Sequence, residues 1–212
     1  MNTQIQIKGI VFDFGRVLAN FDHQKTCQRL GEMANVPPED VFQKIFKEGL
    51  EKSFDEGKVS SLEFWKEVNQ VLKADISFEK FAEAWGDIFS PNPAIEMIIG
   101  KLRQNLGRVV LSNTNPLHWD YIEKLGVMRQ FFNEKERLVL SFEIGAKKPA
   151  EIMYKKALER LSLKAEEVLF LDDVEEYTAA FRKLGGNAIV YDCTKQSANE
   201  LLESLGQYKV LQ

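Results

Sequence analysis

Several features that would assign a chain to a class at once are scarce or missing from this sequence. Only two cysteines occur, Cys27 and Cys193, and their wide separation indicates two independent reduced thiols, as in cytosolic proteins. The net charge is −4 and no long basic tract is present, so nucleic acid is not an expected partner. No run of about 18 apolar residues occurs, the length that a membrane span needs. The first residues also lack the charged and apolar regions of a secretory signal, and we expect a cytoplasmic protein.

What the sequence does contain is a regular alternation of short apolar runs and helical patterns. With 212 residues, 44% of them apolar, the chain is long enough for one large domain or one domain with an insertion. Apolar runs predict strands at 7–14, 108–111, 138–140, 168–171 and 188–191. Helical spacing predicts helices at 95–106, 117–125, 151–161, 177–184 and 199–205. This order predicts an α/β protein, a Rossmann-like three-layer sandwich in which helices cover both faces of a parallel sheet.

One long segment interrupts the alternation directly after the first predicted strand. From about 22 to 90 the apolar residues recur at helical spacing, and no convincing strand is present. Ser60 and Glu63 form the pattern of a capping box at the start of one of these helices. A Ser-Pro-Asn-Pro sequence at 90–93 marks the end of the segment. We therefore predict a core formed by 1–20 and 91–212, with a small all-helical domain at 21–90 inserted into it.

Polar residues follow three of the apolar runs, at the points where the predicted strands end. Asp13 ends the first run, and Asp172 and Asp173 end another. Ser112 and Asn113 follow a third. In an open α/β sheet the binding site lies beyond the carboxyl ends of the strands, so we expect these side chains to converge.

These residues, together with a lysine before a proline, resemble the four motifs of the haloacid dehalogenase superfamily of phosphohydrolases. Residues 13–18, Asp-Phe-Gly-Arg-Val-Leu, resemble the first motif, and Ser112-Asn113 resembles the second. Lys148-Pro149 resembles the third motif, and 171–173 resembles the fourth. The helical insertion lies where this superfamily places its type-1 cap, and the resemblance covers nearly the whole chain. The Ser-Asn-Thr-Asn sequence followed by His118 further resembles the bacterial branch that includes glucose-1-phosphate phosphatases.

The resemblance implies a phosphatase acting on a small phosphorylated metabolite, with a sugar phosphate as one candidate. Asp13 is the implied nucleophile, and it would form an aspartyl-phosphate that water then hydrolyses. The groups implied to hold the phosphate or the substrate are Ser112, Asn113, Lys148, Arg16 and His118. Asn113 is also a candidate to orient the nucleophile.

Charge balance requires cations in such a site. Two unit charges roughly 4 Å apart repel by about 4 kcal/mol at an effective dielectric of about 20, and here several carboxylates would meet a phosphate dianion. Lys148 supplies one positive charge, and hard oxygen ligands select Mg²⁺ for the remainder. The resemblance implies ligation by Asp13, the carbonyl of Gly15 and Asp173. Asp172 is an expected partner in the inner or outer sphere.

Position 15 departs from the family pattern. The first motif usually carries a second aspartate there, which protonates the leaving group and then activates water, whereas this chain has Gly15. A general acid–base contribution of about 10²–10⁴-fold is therefore missing or supplied elsewhere. Three outcomes stay open: a good leaving group that needs little protonation, replacement by His118 or Asp22, or loss of turnover. The glucose-1-phosphatase-like branch also tolerates glycine here, which favours the first two.

Two further functions stay beside the phosphatase. A 2-haloacid dehalogenase of the same fold would need no metal, but the pair Asp172 and Asp173 would repel its carboxylate substrate. A non-enzymatic binding or regulatory member is supported by Gly15 and opposed by the retained Asp13 and Lys148.

Substrate choice would depend on residues of the cap that face the site. Phe21, Phe54 and Trp85 are the candidates for that role. Lys147, beside the motif lysine, is expected to be a solvated surface residue. A monomer and a homodimer are both compatible with the sequence.

Overall fold

A computed structural model describes residues 6–125 and 137–212 of the chain. The described strands are β1 (Gly9–Phe12), β2 (Ala19–Phe21), β3 (Phe89–Pro91), β4 (Gly107–Ser112), β5 (Leu138–Leu140), β6 (Val168–Asp172) and β7 (Asn187–Val190). The described α-helices are α1 (His23–Ala34), α2 (Pro38–Phe42), α3 (Glu51–Asp55), α4 (Ser61–Leu72), α5 (Phe78–Gly86), α6 (Pro93–Lys101), α7 (Pro116–Leu125), α8 (Ser141–Ile144), α9 (Glu151–Leu161), α10 (Glu175–Lys183) and α11 (Ala198–Gln207). A π-helical turn at Gln43–Lys47 continues α2, and a 3-10 turn at Ala165–Glu167 precedes β6.

A five-stranded parallel sheet in the order β5-β4-β1-β6-β7 forms the centre of the fold. The residues of β1 are all buried, because helices cover both faces of the sheet. Ile10 and Phe12 pack in one apolar cluster with residues of α6, α7 and α11. Val11 points to the opposite face and packs with residues of α9 and α10. The predicted α/β three-layer sandwich is therefore confirmed.

The predicted helix at 95–106 was wrong at its end. Helix α6 stops at Lys101, because Leu102 adopts an extended conformation with φ −71° and ψ 146°. Leu102 instead forms an antiparallel bridge with Leu211 near the end of the chain. Both Leu102 and Leu106 are buried in the core cluster, so their apolar spacing imitated a continuing helix. The predicted first strand, 7–14, is likewise shorter and covers Gly9–Phe12.

The segment after β1 contains helices α1 to α5, with a short antiparallel ribbon at its two ends. In this ribbon Ala19 pairs with Pro91 and Phe21 pairs with Phe89. The expectation that no strand occurs between 22 and 90 was therefore wrong at Phe89 and Ser90. The ribbon brings the entry and the exit of the helical segment side by side. The division into a core of 1–20 and 91–212 and a helical domain of 21–90 stays a proposal, which the position of the ribbon supports.

An aromatic cluster of its own fills the helical segment. Phe54 stacks on Phe64 with ring centroids 4.4 Å apart, and Phe64 meets Trp85 edge to face at 4.8 Å. The predicted capping box is confirmed at α4: Ser60 Oγ accepts from the backbone N–H of Glu63, and Glu63 Oε2 accepts from that of Ser60. The ring contacts join helices α3, α4 and α5.

Two further observations concern the cysteines and the hydrophobicity of the helices. Cys27 and Cys193 are both free thiols. Among the residues that the structure describes, no helix combines the length and the apolarity that crossing a membrane requires.

Candidate active site

The carboxyl ends of β1 and β6 meet at one edge of the sheet and bring three carboxylates together. Phe12 lies opposite Leu171, so Asp13 and Asp172 each come one residue later at the same edge. One carboxylate oxygen from each of Asp13, Asp172 and Asp173 lies within 4.8 Å of the other two. Residues more than 150 positions apart in sequence are thus joined by the register of the parallel strands.

Lys148 connects two of these carboxylates. Its Nζ donates to Asp13 Oδ1 at 2.7 Å and to Asp172 Oδ2 at 2.5 Å, and only 1% of its side chain is exposed. Asn113 holds the lysine backbone from both sides: its Oδ1 accepts from Lys148 N at 2.8 Å and its Nδ2 donates to Lys148 O at 3.2 Å. Nδ2 also lies 3.5 Å from the hydroxyl of Tyr177. Asn113 thus positions the lysine, and its role in orienting Asp13 stays a prediction.

The electrostatics of this cluster leave an excess of negative charge. Burial raises the pKa of Asp13, the charge of Lys148 opposes that shift, and Asp172 adds to it. Burial alone would lower the pKa of Lys148, but Asp13 and Asp172 outweigh it and raise this pKa. Burial and the neighbouring Asp172 also raise the pKa of Asp173. Burial accounts for most of the shifts of the two carboxyls, and one ammonium among three carboxylates does not balance their charge, which favours a further cation.

The two tandem aspartates have different surroundings. Asp172 is fully buried and already engaged, because its Oδ2 meets Lys148 and its Oδ1 accepts from Val174 N at 2.9 Å. Asp173 lines a cavity together with Asp13 and Gly15. Hard carboxylate oxygens of this kind fit Mg²⁺, so the residues present can hold the predicted ion with Asp13 and Asp173 as its carboxylate ligands.

The cavity in front of the cluster has a volume of about 410 Å³ and lies between the sheet edge and the helical segment. From the helical side and the ribbon it is lined by Phe21, His23, Phe46, Glu51, Asp55 and Trp85. Two of the three aromatic residues predicted to face the site therefore do so. Phe54 does not, because it is fully buried against Phe64. Ser112 is 3% exposed at the end of β4 and is not among the described residues that line the cavity, whereas its neighbour Asn113 is.

The space beside Gly15 is occupied by a residue of the β2–β3 ribbon. A Cβ atom built on Gly15 would lie 2.8 Å from Cε1 of Phe21, closer than real Cβ atoms approach other atoms. The phenyl ring thus fills the space into which an aspartate at this position would project. Arg16, with φ 57°, places its guanidinium 5.2 Å from the centroid of the same ring. Its Nη1 lies 3.9 Å from Asp173 and 3.7 Å from Asp192, so its charge already has acidic partners.

Neither expected substitute for the missing acid is arranged as a proton donor. Burial lowers the pKa of His118 to about 3, and its ring stacks on Trp85 at 5.3 Å. His118 Nδ1 lies 3.0 Å from Asn115 Nδ2 and accepts its hydrogen, so the ring is neutral. Asp22 is exposed, and its Oδ1 caps α1 by accepting from Gln24 N at 2.9 Å. His118 lines the cavity, which is compatible with a contact between its neutral ring and a substrate. That contact stays a prediction.

Several cavity residues were not identified from the sequence. Lys147, expected to be solvated, pairs with Asp55 at 2.6 Å and keeps only 22% of its side chain exposed. Burial raises the pKa of the nearby Glu51 to about 7. Glu51 and Asp55 lie four residues apart in α3, a spacing that places both on one helix face. The spacing of four residues predicts that the two side chains share a helix face. The neighbouring sequence does not indicate that this face meets the active site.

The chain belongs to the haloacid dehalogenase-like hydrolase family, because the family model matches residues 9–190. The chain is also 28% identical over 184 residues to a D-ribitol-5-phosphate phosphatase from Bacteroides thetaiotaomicron, covering 84% of this chain and 89% of that protein. The predicted family is confirmed. The predicted class, a phosphoric monoester hydrolase of this type, agrees with both matches, while the narrower resemblance to glucose-1-phosphatases stays a prediction.

Solved structures show the same fold. A haloacid dehalogenase family enzyme from Bacteroides thetaiotaomicron, in complex with magnesium and inorganic phosphate, matches with a TM-score of 0.75 and 22% identity over 92% of this chain and 98% of that one. The L-2-haloacid dehalogenase from Xanthobacter autotrophicus matches with a TM-score of 0.64 and 20% identity over 97% of this chain and 84% of that one.

Proposed function

We propose that the protein is a magnesium-dependent phosphatase that hydrolyses a small phosphorylated metabolite of the sugar or sugar-alcohol phosphate class. The observation that carries the proposal is the buried Lys148 between Asp13 and Asp172, with Asp173 beside them at the base of a cavity. The relative named as a D-ribitol-5-phosphate phosphatase and the neighbouring structure with magnesium and phosphate support it.

The proposed reaction begins with attack of the Asp13 carboxylate on phosphorus. The bond between phosphorus and the alcohol oxygen breaks in line, the leaving oxygen takes a proton from water and departs as the alcohol, and an aspartyl-phosphate remains. Water then attacks the phosphorus of this acyl phosphate, which releases inorganic phosphate and restores Asp13. Lys148 holds Asp13 in place and offsets the negative charge of the transferring group.

Other residues of the site would position these partners. Asn113 fixes the backbone of Lys148, and therefore fixes where its ammonium group lies. The Ser112 hydroxyl and nearby backbone N–H groups would hold phosphate oxygens at the end of β4. A bound Mg²⁺, held by Asp13, the Gly15 carbonyl and Asp173, would neutralise phosphate charge.

The alternatives have less support at this site. A haloacid dehalogenase would have to admit a carboxylate substrate beside Asp172 and Asp173, and one ammonium does not balance all of these charges. A purely binding role leaves unexplained why a lysine is buried between two carboxylates, an arrangement that costs desolvation and needs a compensating use.

Phosphate release from p-nitrophenyl phosphate, measured with Mg²⁺ and with EDTA, tests the proposal. We expect metal-dependent release by the wild type, a loss of at least about 10³-fold for Asp13→Asn, and wild-type rates for the exposed matched control Asp75→Asn. Metal-independent halide release from 2-chloropropionate would instead establish a dehalogenase. Failure to release phosphate from any member of a broad panel of phosphorylated metabolites would favour a non-enzymatic role.

A further inference from the structure

Two polar atoms on the helical side of the active-site cavity are buried without a partner. They are Glu51 Oε2 and His23 Nδ1. A buried polar atom left unpaired costs about 1–3 kcal/mol, so each such atom in a folded protein calls for an explanation. Both atoms belong to residues that line the same cavity, so a molecule bound there is the nearest candidate partner for both.

The surroundings of these two residues hold them in place. The His23 ring packs against Phe46 at 4.6 Å and against Phe21 at 5.0 Å, measured between ring centroids. Asp55 and Lys147, which line the same cavity as Glu51, form an ion pair, and Asp55 also accepts a hydrogen bond from Asn115. His23 is thus held by two aromatic rings, and Glu51 lies in the same helix as the ion-paired Asp55.

We propose that Glu51 and His23 bind hydroxyl groups of the alcohol portion of the substrate, which makes that portion a sugar or a polyol. The inference rests on the proposed function, since it assigns the carboxylate cluster to the phosphate and the helical side to the leaving group. A hydroxyl both donates and accepts a hydrogen bond, so neighbouring hydroxyls can serve a carboxyl group and an imidazole nitrogen together.

Other leaving groups suit these residues less well. A plain alkyl chain would leave both atoms unpaired, and a second anionic group would meet Glu51 and Asp55. Burial lowers the pKa of His23 and raises the pKa of Glu51 to about 7, in the presence of Asp55 and Lys147. These shifts reduce the charge on both groups near neutral pH, which favours a neutral polyol over a cationic leaving group.

The experiment compares two five-carbon substrates that differ in hydroxyl groups, D-ribitol 5-phosphate and n-pentyl phosphate. The readout is the ratio of their kcat/KM values in Mg²⁺, for the wild type, Glu51→Ala, and His23→Phe, which keeps a ring but removes both nitrogens. We expect the wild type to prefer the polyol, and each variant to lower the ratio by about tenfold or more, the loss of one good hydrogen bond. Glu48→Ala, an exposed glutamate three residues earlier, serves as the matched control and should keep the wild-type ratio.

The outcomes separate the two proposals. If the wild type releases no phosphate from either substrate or from p-nitrophenyl phosphate, the proposed function fails. If it does release phosphate but Glu51→Ala and His23→Phe change both substrates equally or change neither, the hydroxyl-binding role is wrong. Thermal melting of each variant identifies one that has not folded, and in that case Glu51→Gln replaces Glu51→Ala. A wild-type preference for an aminoalkyl phosphate over the polyol would overturn the inference in favour of a cationic leaving group.

Discussion

At the scale of single residues, Gly15 and Phe21 share one small volume beside the nucleophile. A Cβ on Gly15 would meet the phenyl ring, so an acidic side chain at this position requires the ring to move. The absence of a general acid and the presence of this ring are therefore one structural feature. With no acid at position 15, the leaving group has to take its proton from another source.

This leads to a paired prediction at positions 15 and 21. We expect Gly15→Asp combined with Phe21→Ala to raise kcat for n-pentyl phosphate by about 10–10²-fold, because an alkoxide needs protonation as it leaves. For p-nitrophenyl phosphate the change should be small. Gly15→Asp alone should gain less and should lower stability, since Phe21 is displaced. The explanation of position 15 is wrong if the double variant accelerates both substrates equally, and Phe21→Ala alone is the control.

Glu51 gives a prediction for the dependence of stability on pH. Its folded-state pKa of about 7 lies above its unfolded value near 4.5, so the unfolded state ionises first as pH rises. The native state is thereby weakened between about pH 4.5 and pH 7. Glu51→Gln removes this loss of stability. As pH rises through that interval, the free energy of unfolding of the variant should increase relative to the wild type by about 1 kcal/mol, and the difference should then level off.

Urea unfolding at a series of pH values measures the difference. The two proteins differ only at residue 51, so the comparison isolates the carboxyl group of Glu51. A difference that stays flat from pH 4.5 to pH 7.5 would show that Glu51 is not held in a desolvated position.

At the scale of elements, Asn92 joins the start of α6 to the loop after β1. Its Oδ1 accepts from Ala94 N at 3.2 Å and caps the helix, while its Nδ2 donates to Val17 O at 3.0 Å. We expect Asn92→Ala to lower the free energy of unfolding by about 2–3 kcal/mol, because a cap is lost and a buried carbonyl loses its donor. Ser60→Ala, which removes only an exposed cap on α4, should cost about 1 kcal/mol. If urea unfolding shows equal losses for Asn92→Ala and Ser60→Ala, the hydrogen bond from Asn92 to Val17 O does not contribute to stability.

The sequence predicted the elements whose burial is uniform and missed those whose role depends on distant partners. Strands β1 and β6 are buried on both faces, so their continuous apolar runs identified them and the aspartates at their ends. Strand β3 has three residues including Pro91, too few for any periodic pattern.

The helical side of the site was missed for a related reason. Glu51 and His23 gain their significance only when α3 and α1 are packed over the carboxyl edge of the sheet. No local pattern encodes that packing, whereas the motif residues are recognisable because each directly follows a strand.

At the scale of the whole molecule, binding of Mg²⁺ should stabilise the folded chain. A ligand at about 100 times its dissociation constant contributes about 2.7 kcal/mol if it binds only the native state. For a chain of this size, that corresponds to an increase in Tm of about 5–10 °C. We expect this increase in differential scanning calorimetry for the wild type and for Asp75→Asn, and its loss for Asp173→Asn. An undiminished increase in Asp173→Asn would exclude that carboxylate as a ligand.

The ribbon of β2 and β3 also bears on how the chain reaches its native topology. The central strand pairs Gly9 with Gly107, and the intervening polypeptide must close as a very long loop before that pairing can form. Once Ala19 is paired with Pro91, only two short connections separate the strands that have to meet. The search for the central pairing then becomes a nearly local one, and the inserted helices are expected to assemble before the sheet is complete.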